Sequence, residues 1–320
     1  MAENKSNELH DIVIVGAGIA GFAAGVYAAR FNLKTVVIGD SIGGTLILTD
    51  IVENYPGFEL ISGMDLMKRV QKHSEKFGTK TLNGRVTDVI QNKDKSTFTL
   101  TVDGKKSIES KTVIFATGSK WRKLNVPGED AYASKGVHYC GLCDGALYKD
   151  KRIAVAGAGD SAAKEALLLT QFGREVFIIV RGDDIHPEPI NYKRIQSNPK
   201  IKIINQANVV EIKGEKFMNK VVLDREFNGS KELALDALFV EIGHITLTEL
   251  PKKLGVNLNK KGEIIMNRES TTNVPGVFAA GDCGDHIFKQ AITGVAEGVT
   301  AAFSAYQFIE HNKEKWKKGK

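Results

Sequence analysis

The chain has 320 residues, 42% of them hydrophobic and 26% charged, with 32 glycines against seven prolines, a balance that excludes disordered, collagen-like and membrane-embedded proteins. At about 150 residues per domain the length predicts two domains, each able to bury a core. The net charge of +6 is concentrated at 313–320 (KEKWKKGK), which holds five lysines against one glutamate; the body has no basic stripe interleaved with aromatics, so nucleic acid is not an expected partner.

The first ten residues, MAENKSNELH, hold no apolar segment of a secretion signal, and no apolar run reaches the roughly 18 residues of a spanning helix. A cytoplasmic protein with no membrane partner is expected. Asp11–Val15 (DIVIV) is a short β-branched run of the kind a parallel sheet buries, and it enters Gly16-Ala17-Gly18-Ile19-Ala20-Gly21. An alanine-rich helix from Ile19 to Arg30 and a strand Thr35–Ile38 complete one βαβ unit. Thr97–Val102 alternates, Asp103-Gly104 is a hairpin turn, and Thr112–Ala116 runs into Thr117-Gly118, which predicts a small antiparallel meander. The first plan then repeats. Arg152–Ala156 (RIAVA) enters Gly157-Ala158-Gly159-Asp160-Ser161-Ala162, followed by a helix to Phe172, a stop at Gly173 and a strand Glu175–Val180. Val209–Ile212 and Val221–Arg225 predict a second meander, and Ala237–Ile242 a strand ending at Gly243. Gly276–Ala280 predicts a strand ending at Gly281-Asp282, and Gln290–Phe308 a closing helix.

The two glycine fingerprints have a mechanical meaning. The first glycine makes the strand-to-helix turn, the second lets backbone approach a pyrophosphate, and the third, or an alanine, lets helix and strand pack closely. The anion then sits on the positive end of the helix. Expected contacts are Gly16, Gly18, Ala20 and Gly21 in the first copy and Gly157, Gly159, Asp160 and Ser161 in the second. The predicted fold is α/β, with two Rossmann-like dinucleotide-binding domains of parallel sheet plus antiparallel meander, the second inserted in the first. Two facing nucleotides imply electron transfer from one to the other.

Three cysteines cannot staple a chain this long, but two of them form Cys140-Gly141-Leu142-Cys143, which in a reducing compartment marks redox chemistry or a metal. Such a pair can close a small disulfide ring that exchanges readily with other protein dithiols. The competing assignment is a structural zinc held by Cys140, Cys143, His138 and Cys283. Structural zinc usually takes a second paired set, which the chain lacks, so no metal is expected and Cys283 is read as a small buried residue.

The order and spacing of six motifs resemble the low-molecular-weight thioredoxin reductases over essentially the whole chain. They are GAGIAG, Glu53-Asn54-Tyr55-Pro56-Gly57, Ala116-Thr117-Gly118, His138-Tyr139-Cys140-Gly141-Leu142-Cys143-Asp144-Gly145, GAGDSA, and Ala280-Gly281-Asp282 with Gln290-Ala291. The resemblance implies an FAD-binding domain from 1–117 and 246–320 and an inserted NAD(P)-binding-like domain, 118–245, that carries the CxxC pair. It implies hinges on which the domains rotate, a homodimer, and thioredoxin or a thioredoxin-like protein as partner. By the same resemblance Cys143 faces the flavin, Cys140 attacks the partner disulfide, and Asp144 exchanges the proton that each thiolate takes up or releases. Asp282 with Gly281 would reach the FAD ribitol, and the backbone of Gln290, Ala291 and Ile292 the pyrimidine edge. Gly44, Asn54, Ala116, Thr117 and Gly118 would contact the same cofactor.

Three departures stand against this pattern. The acidic residue expected after the second strand is Gly39, with Asp40 one place later as substitute. The family's Gln in a GGQL motif is Thr45, so its reach to the flavin ring is shortened or absent. The basic motif that holds the 2′-phosphate of NADPH is reduced to Arg181, with Asp183 and Asp184 beside it. Either NADH replaces NADPH, or the second site is a relic and another reductant feeds the flavin. The leading expectation is an FAD-dependent thioredoxin-disulfide reductase. Its alternatives are the same fold with a deazaflavin or ferredoxin donor or a peroxiredoxin-type acceptor, and a non-catalytic flavin redox sensor, which Asp144 disfavours because a sensor needs no proton shuttle.

Overall fold

The structure is a computed structural model describing residues 8–49, 51–94 and 96–317. Most of the N-terminal segment behind the localisation expectation, and the last three residues of the lysine-rich end, lie outside the described residues. The chain divides into two compact units: Met1–Lys120 with Thr246–Lys320, and Trp121–Ile245. Among the described residues no helix is long and apolar enough to cross a membrane.

The first unit opens with β1 (His10–Val15), α1 (Ile19–Arg30), β2 (Thr35–Gly39), α2 (Gly63–Lys76), β3 (Lys80–Asn83), β4 (Val86–Asn92), β5 (Thr97–Val102) and β6 (Lys106–Phe115). They form one sheet in the order β3-β2-β1-β6-β5-β4. β1 lies inside it with parallel neighbours on both edges, and Ile12, Val13 and Ile14 are fully buried. That double cover is why its sequence is apolar without alternation. The expected antiparallel meander forms from β4, β5 and β6 and is continuous with the parallel strands. β6 is a single ten-residue strand that pairs antiparallel with β5 from Lys106 to Ser110 and parallel with β1 from Ser110 to Phe115. Burial follows the change of partner: alternating in the first half, continuous from Thr112 to Phe115.

The inserted unit follows a short crossing strand, β7 (Ser119–Trp121). It holds β8 (Val137–His138), α3 (Gly141–Asp144), β9 (Arg152–Ala156), α4 (Asp160–Leu169), β10 (Glu175–Ile179), α5 (Pro189–Gln196) and β11 (Ile201–Ile204). Next come β12 (Val209–Gly214), β13 (Met218–Phe227), β14 (Ser230–Ala234) and β15 (Ala237–Val240), and the chain leaves through β16 (His244–Thr246), which pairs with β7. The parallel sheet runs β11-β10-β9-β15-β8, and β12-β13-β14 form a separate antiparallel sheet. α4 stops at Leu169, three residues short of the predicted end, and the Gly173 N–H closes the helix on the Leu169 carbonyl at 2.8 Å.

Back in the first unit come α6 (Glu249–Lys253), β17 (Val277–Ala279), α7 (Ala291–Asn312) and α8 (Glu314–Lys317). β17 adds to the first sheet parallel to β6. α7 lies against α1 through small residues: a Cβ at Gly298 would run into the Ala20 carbonyl. The hydrophobic clusters keep to their units, with Ile14, Phe22 and Phe115 in one and Val155, Phe177 and Phe239 in the other.

Candidate active site

In the first unit, β1 delivers the chain to Gly16 at φ +121°, where a Cβ would run into the Ala116 carbonyl. Only glycine lets Ala116-Thr117-Gly118 approach this closely. The Gly43 N–H donates to the Ala17 carbonyl at 2.8 Å. A Cβ at Gly44 would stand 3.3 Å from the Gly18 Cα, and one at Gly281 3.0 Å from the Ala20 Cβ. Four motifs distant in sequence thus meet at the first turn of α1. Gly18 caps that helix with no side-chain hydrogen bond, the first turn carries no acidic residue, and a Cβ on Gly18 would meet nothing within 4 Å. First-turn N–H groups without side-chain acceptors behind an open backbone suit a pyrophosphate.

The rest of the expected flavin residues are tied to other parts of the first unit. Asn54 Nδ2 donates to Gln290 Oε1 at 3.1 Å, joining motifs 236 positions apart. Gln290 caps α7 in a reciprocal pair with Thr293, so Ala291 and Ile292 open that helix. Ser119 Oγ donates to Asp282 Oδ2 at 3.4 Å, and Thr117 Oγ1 to the Leu247 carbonyl at 2.6 Å. Thr45 lies in the 3-10 turn Gly44–Leu48. Asp40 is exposed, with Arg85 Nε 4.0 Å away. The glycine surface, the helix end and Asp282 together fit a flavin dinucleotide.

The second fingerprint reproduces the first turn. Gly157 sits at φ +154°, where a Cβ would run into the Glu241 carbonyl. Gly159 caps α4 without a side chain and faces open space. Asp160 is the difference: its Oδ1 accepts from Asn191 Nδ2 at 2.8 Å and from the Glu188 N–H at 3.1 Å, and Lys164 Nζ is 2.6 Å from Oδ2. Burial opposes its charge, but these three donors hold its carboxyl below the usual range. With the His186 N–H donating to the Ala158 carbonyl at 2.8 Å, they pin the loop after β10 across the start of α4. Ser161 is exposed. Arg181, Asp183 and Asp184 are exposed on that loop; Asp183 accepts from Gln206 Nε2 at 2.6 Å and Asp184 from the Tyr192 hydroxyl at 2.8 Å.

Cys140 and Cys143 form a disulfide with their Cα atoms 5.4 Å apart. Cys140 is 9% exposed, whereas Cys143 is exposed. The Cys143 N–H donates to Cys140 Sγ at 3.1 Å, and the Gly141 N–H donates to a carboxyl oxygen of Glu165 on α4. Asp144 Oδ2 is 2.9 Å from Nδ1 of the buried His138, whose Nε2 is 2.7 Å from the Tyr148 hydroxyl. A carboxylate oxygen accepts, so Nδ1 donates to Asp144, while Nε2 and the Tyr148 hydroxyl share the second hydrogen bond of the ring. Phe239 stacks on the imidazole at 5.3 Å and fixes its plane. Burial, then the charge of Asp144, push the Tyr148 phenol up, which keeps it protonated. Asp144 is therefore held by His138, which Tyr148 and Phe239 hold in turn, and it remains partly exposed. Cys283 belongs to the other unit, is fully buried with its Sγ 3.3 Å from the Ala280 carbonyl, and burial raises its thiol pKa.

Four residues went unassigned in the sequence or were weighed only as metal ligands: His138, Tyr148, Glu165 and Glu297. Glu297 Oε2 accepts from the Gly281 N–H at 2.8 Å, and Oε1 is 2.9 Å from His286 Nδ1. It supports the turn that carries Asp282. The signal available was a carboxylate on a helix face otherwise made of Gly294, Gly298 and Ala301.

The family model described as pyridine nucleotide-disulphide oxidoreductase matches residues 10–298. A thioredoxin reductase of Bacillus subtilis is 36% identical over 317 residues, 98% of each chain. A NADH dehydrogenase of the same organism is 33% identical over 97% of this chain and 61% of its own length. The solved thioredoxin reductase of Lactococcus lactis superposes with a TM-score of 0.90 at 36% identity, covering 94% of this chain and 99% of its own.

Proposed function

The chain belongs to the pyridine nucleotide-disulphide oxidoreductase family, and from that premise we propose that it is an FAD-dependent reductase passing electrons from a nicotinamide nucleotide through the Cys140–Cys143 pair to thioredoxin or a thioredoxin-like protein. The observation that carries this is the disulfide itself, closed beside an anchored Asp144 in a chain with two open glycine turns. Bound FAD would supply two-electron exchange between a hydride donor and a disulfide, chemistry that no side chain performs alone. Gly16, Gly18, Gly44, Gly118 and Asp282 would hold it. Asp144 gives or takes the proton as each sulfur changes between thiol and thiolate, and His138 keeps that carboxylate aimed. Cys140 is the nucleophile toward the partner and Cys143 the sulfur that resolves the mixed disulfide. Because Cys140 is buried, the turn must expose it before it can attack.

NADH is the favoured donor. A 2′-phosphate carries nearly two negative charges, and Arg181, the one cation left of the family's basic motif, is followed on the same loop by Asp183 and Asp184. Similarity to a NADH dehydrogenase agrees with this. We place the protein in the cytoplasm as a homodimer. The deciding experiment is anaerobic loss of the flavin's visible absorbance with NADH and NADPH in parallel, followed by addition of thioredoxin. A yellow protein that bleaches and then reduces thioredoxin supports the proposal; a protein that cannot be loaded with FAD refutes it.

A further inference from the structure

The turn that carries the disulfide rests on α4, in the same unit. Ala162, Ala163, Ala166 and Leu169 bury the inner face of that helix and fix it on the sheet. Glu165 projects from it to the underside of the turn. Its carboxyl accepts from the Gly141 N–H, between the two cysteines in sequence, and a Cβ on Gly141 would stand 2.7 to 2.9 Å from the carboxyl atoms. A larger residue at 141 would therefore displace the Glu165 carboxyl from its place against the turn. The groups facing Glu165 are Asp144 from α3 and Glu241 from the end of β15. Lys164, its neighbour on α4, pairs with Asp160 instead, and His138 pairs with Asp144.

We propose that Glu165 is a positioning residue for the dithiol, holding the Cys140–Cys143 turn through the Gly141 N–H and setting the negative charge against which a cysteine thiolate forms. This rests on the redox function proposed above and adds a residue to it. Burial and the Asp144 charge push the Glu165 carboxyl up to about 7, and burial and Glu165 push Glu241 up to about 8. The charge beneath the turn thus changes over the range in which thiols begin to ionise. An ionised Glu165 disfavours a nearby thiolate, so removing its charge lowers the thiol pKa.

The test uses the full-length holoprotein with Glu165→Gln, which keeps an acceptor for Gly141 without the charge, and Glu165→Ala, which removes both. Dithiothreitol reduces the Cys140–Cys143 bond: the reagent closes to its ring disulfide, and its two electrons and two protons go to the two sulfurs. Iodoacetamide labelling of the freed thiols is then followed against pH, alongside flavin reduction and thioredoxin turnover. In Glu165→Ala, turnover falls about tenfold, as expected when one charge-assisted hydrogen bond is removed, while flavin reduction is unchanged. Glu165→Gln recovers most of the turnover and moves the labelling midpoint to lower pH. Wild-type turnover in Glu165→Ala, or a Glu165→Gln variant as slow as Glu165→Ala with an unmoved midpoint, overturns the proposal. Labelling needs neither donor nor thioredoxin, so a shifted midpoint in a chain that fails to reduce thioredoxin would refute the function while leaving the role of Glu165 standing.

Discussion

A dithiol hands on electrons only if its protons have somewhere to go, and Asp144, next in sequence to Cys143 and paired with His138, which in turn meets Tyr148, is the group proposed for that exchange. Two predictions belong at this scale. Cys140→Ser and Cys143→Ser should each abolish thioredoxin reduction while the donor still reduces the flavin, because the pair lies downstream. Only Cys143→Ser should trap thioredoxin as a mixed disulfide on non-reducing gels, since its remaining Cys140 can attack and nothing resolves the adduct; trapping in Cys140→Ser alone would reverse the two roles. The second concerns the donor. Asp183 and Asp184 are held by Gln206 and Tyr192 next to Arg181, and a single charge-assisted hydrogen bond, worth about 1.5 kcal/mol, is about tenfold in affinity. Steady-state kcat/KM should favour NADH over NADPH by about that factor. A ratio in favour of NADPH would mean that Lys193 and Arg194 on α5 complete a phosphate site.

At the scale of elements, two glycines of the same region do different work and should separate on substitution. Gly298 lies where α7 crosses α1, and its Cβ would strike the Ala20 carbonyl and come within 3.1 Å of the Ala24 nitrogen. Gly298→Ala should cost about 1–3 kcal/mol of stability by forcing the helices apart, read as a lowered urea midpoint. Gly18 has φ −87°, and a Cβ there would meet no protein atom within 4 Å. Gly18→Ala should leave the stability of the flavin-free protein unchanged and weaken FAD binding, because the methyl group occupies the space into which a pyrophosphate comes. Equal losses of stability in both variants would remove the functional reading of Gly18.

For the whole molecule, the separate clusters of Val155, Phe177 and Phe239 and of Ile14, Phe22 and Phe115 mean that each unit buries its own core. The inserted unit should therefore carry its own pH dependence. Glu165 and Glu241 titrate near 4.5 when unfolded and at about 7 and about 8 when folded. A carboxyl raised by folding binds its proton more tightly in the native state, so its contribution is fully present below about pH 4.5 and is lost as pH rises towards 8. Unfolding of this unit in urea should become easier by on the order of a few kcal/mol from about pH 5 to about pH 8, and Glu241→Gln should flatten that slope. A slope unchanged in Glu241→Gln would show that the carboxyls are solvated in the folded protein.

The sequence by itself determined the two βαβ units, the glycine turns that open α1 and α4, and the redox pair. Each rests on short-range physics: the strand period, the forbidden Cβ at a positive φ, and the spacing of two cysteines on one turn. It also carried the motif order from which the flavin contacts are proposed. Tertiary structure alone decided that β6 is one strand serving two pairings, that Asn54 meets Gln290, that His138 turns to Asp144, and that Glu165 lies beneath Gly141. Those contacts join residues up to 236 positions apart. They depend on which faces of packed helices and which strand registers come together, and no local pattern in the chain encodes that meeting.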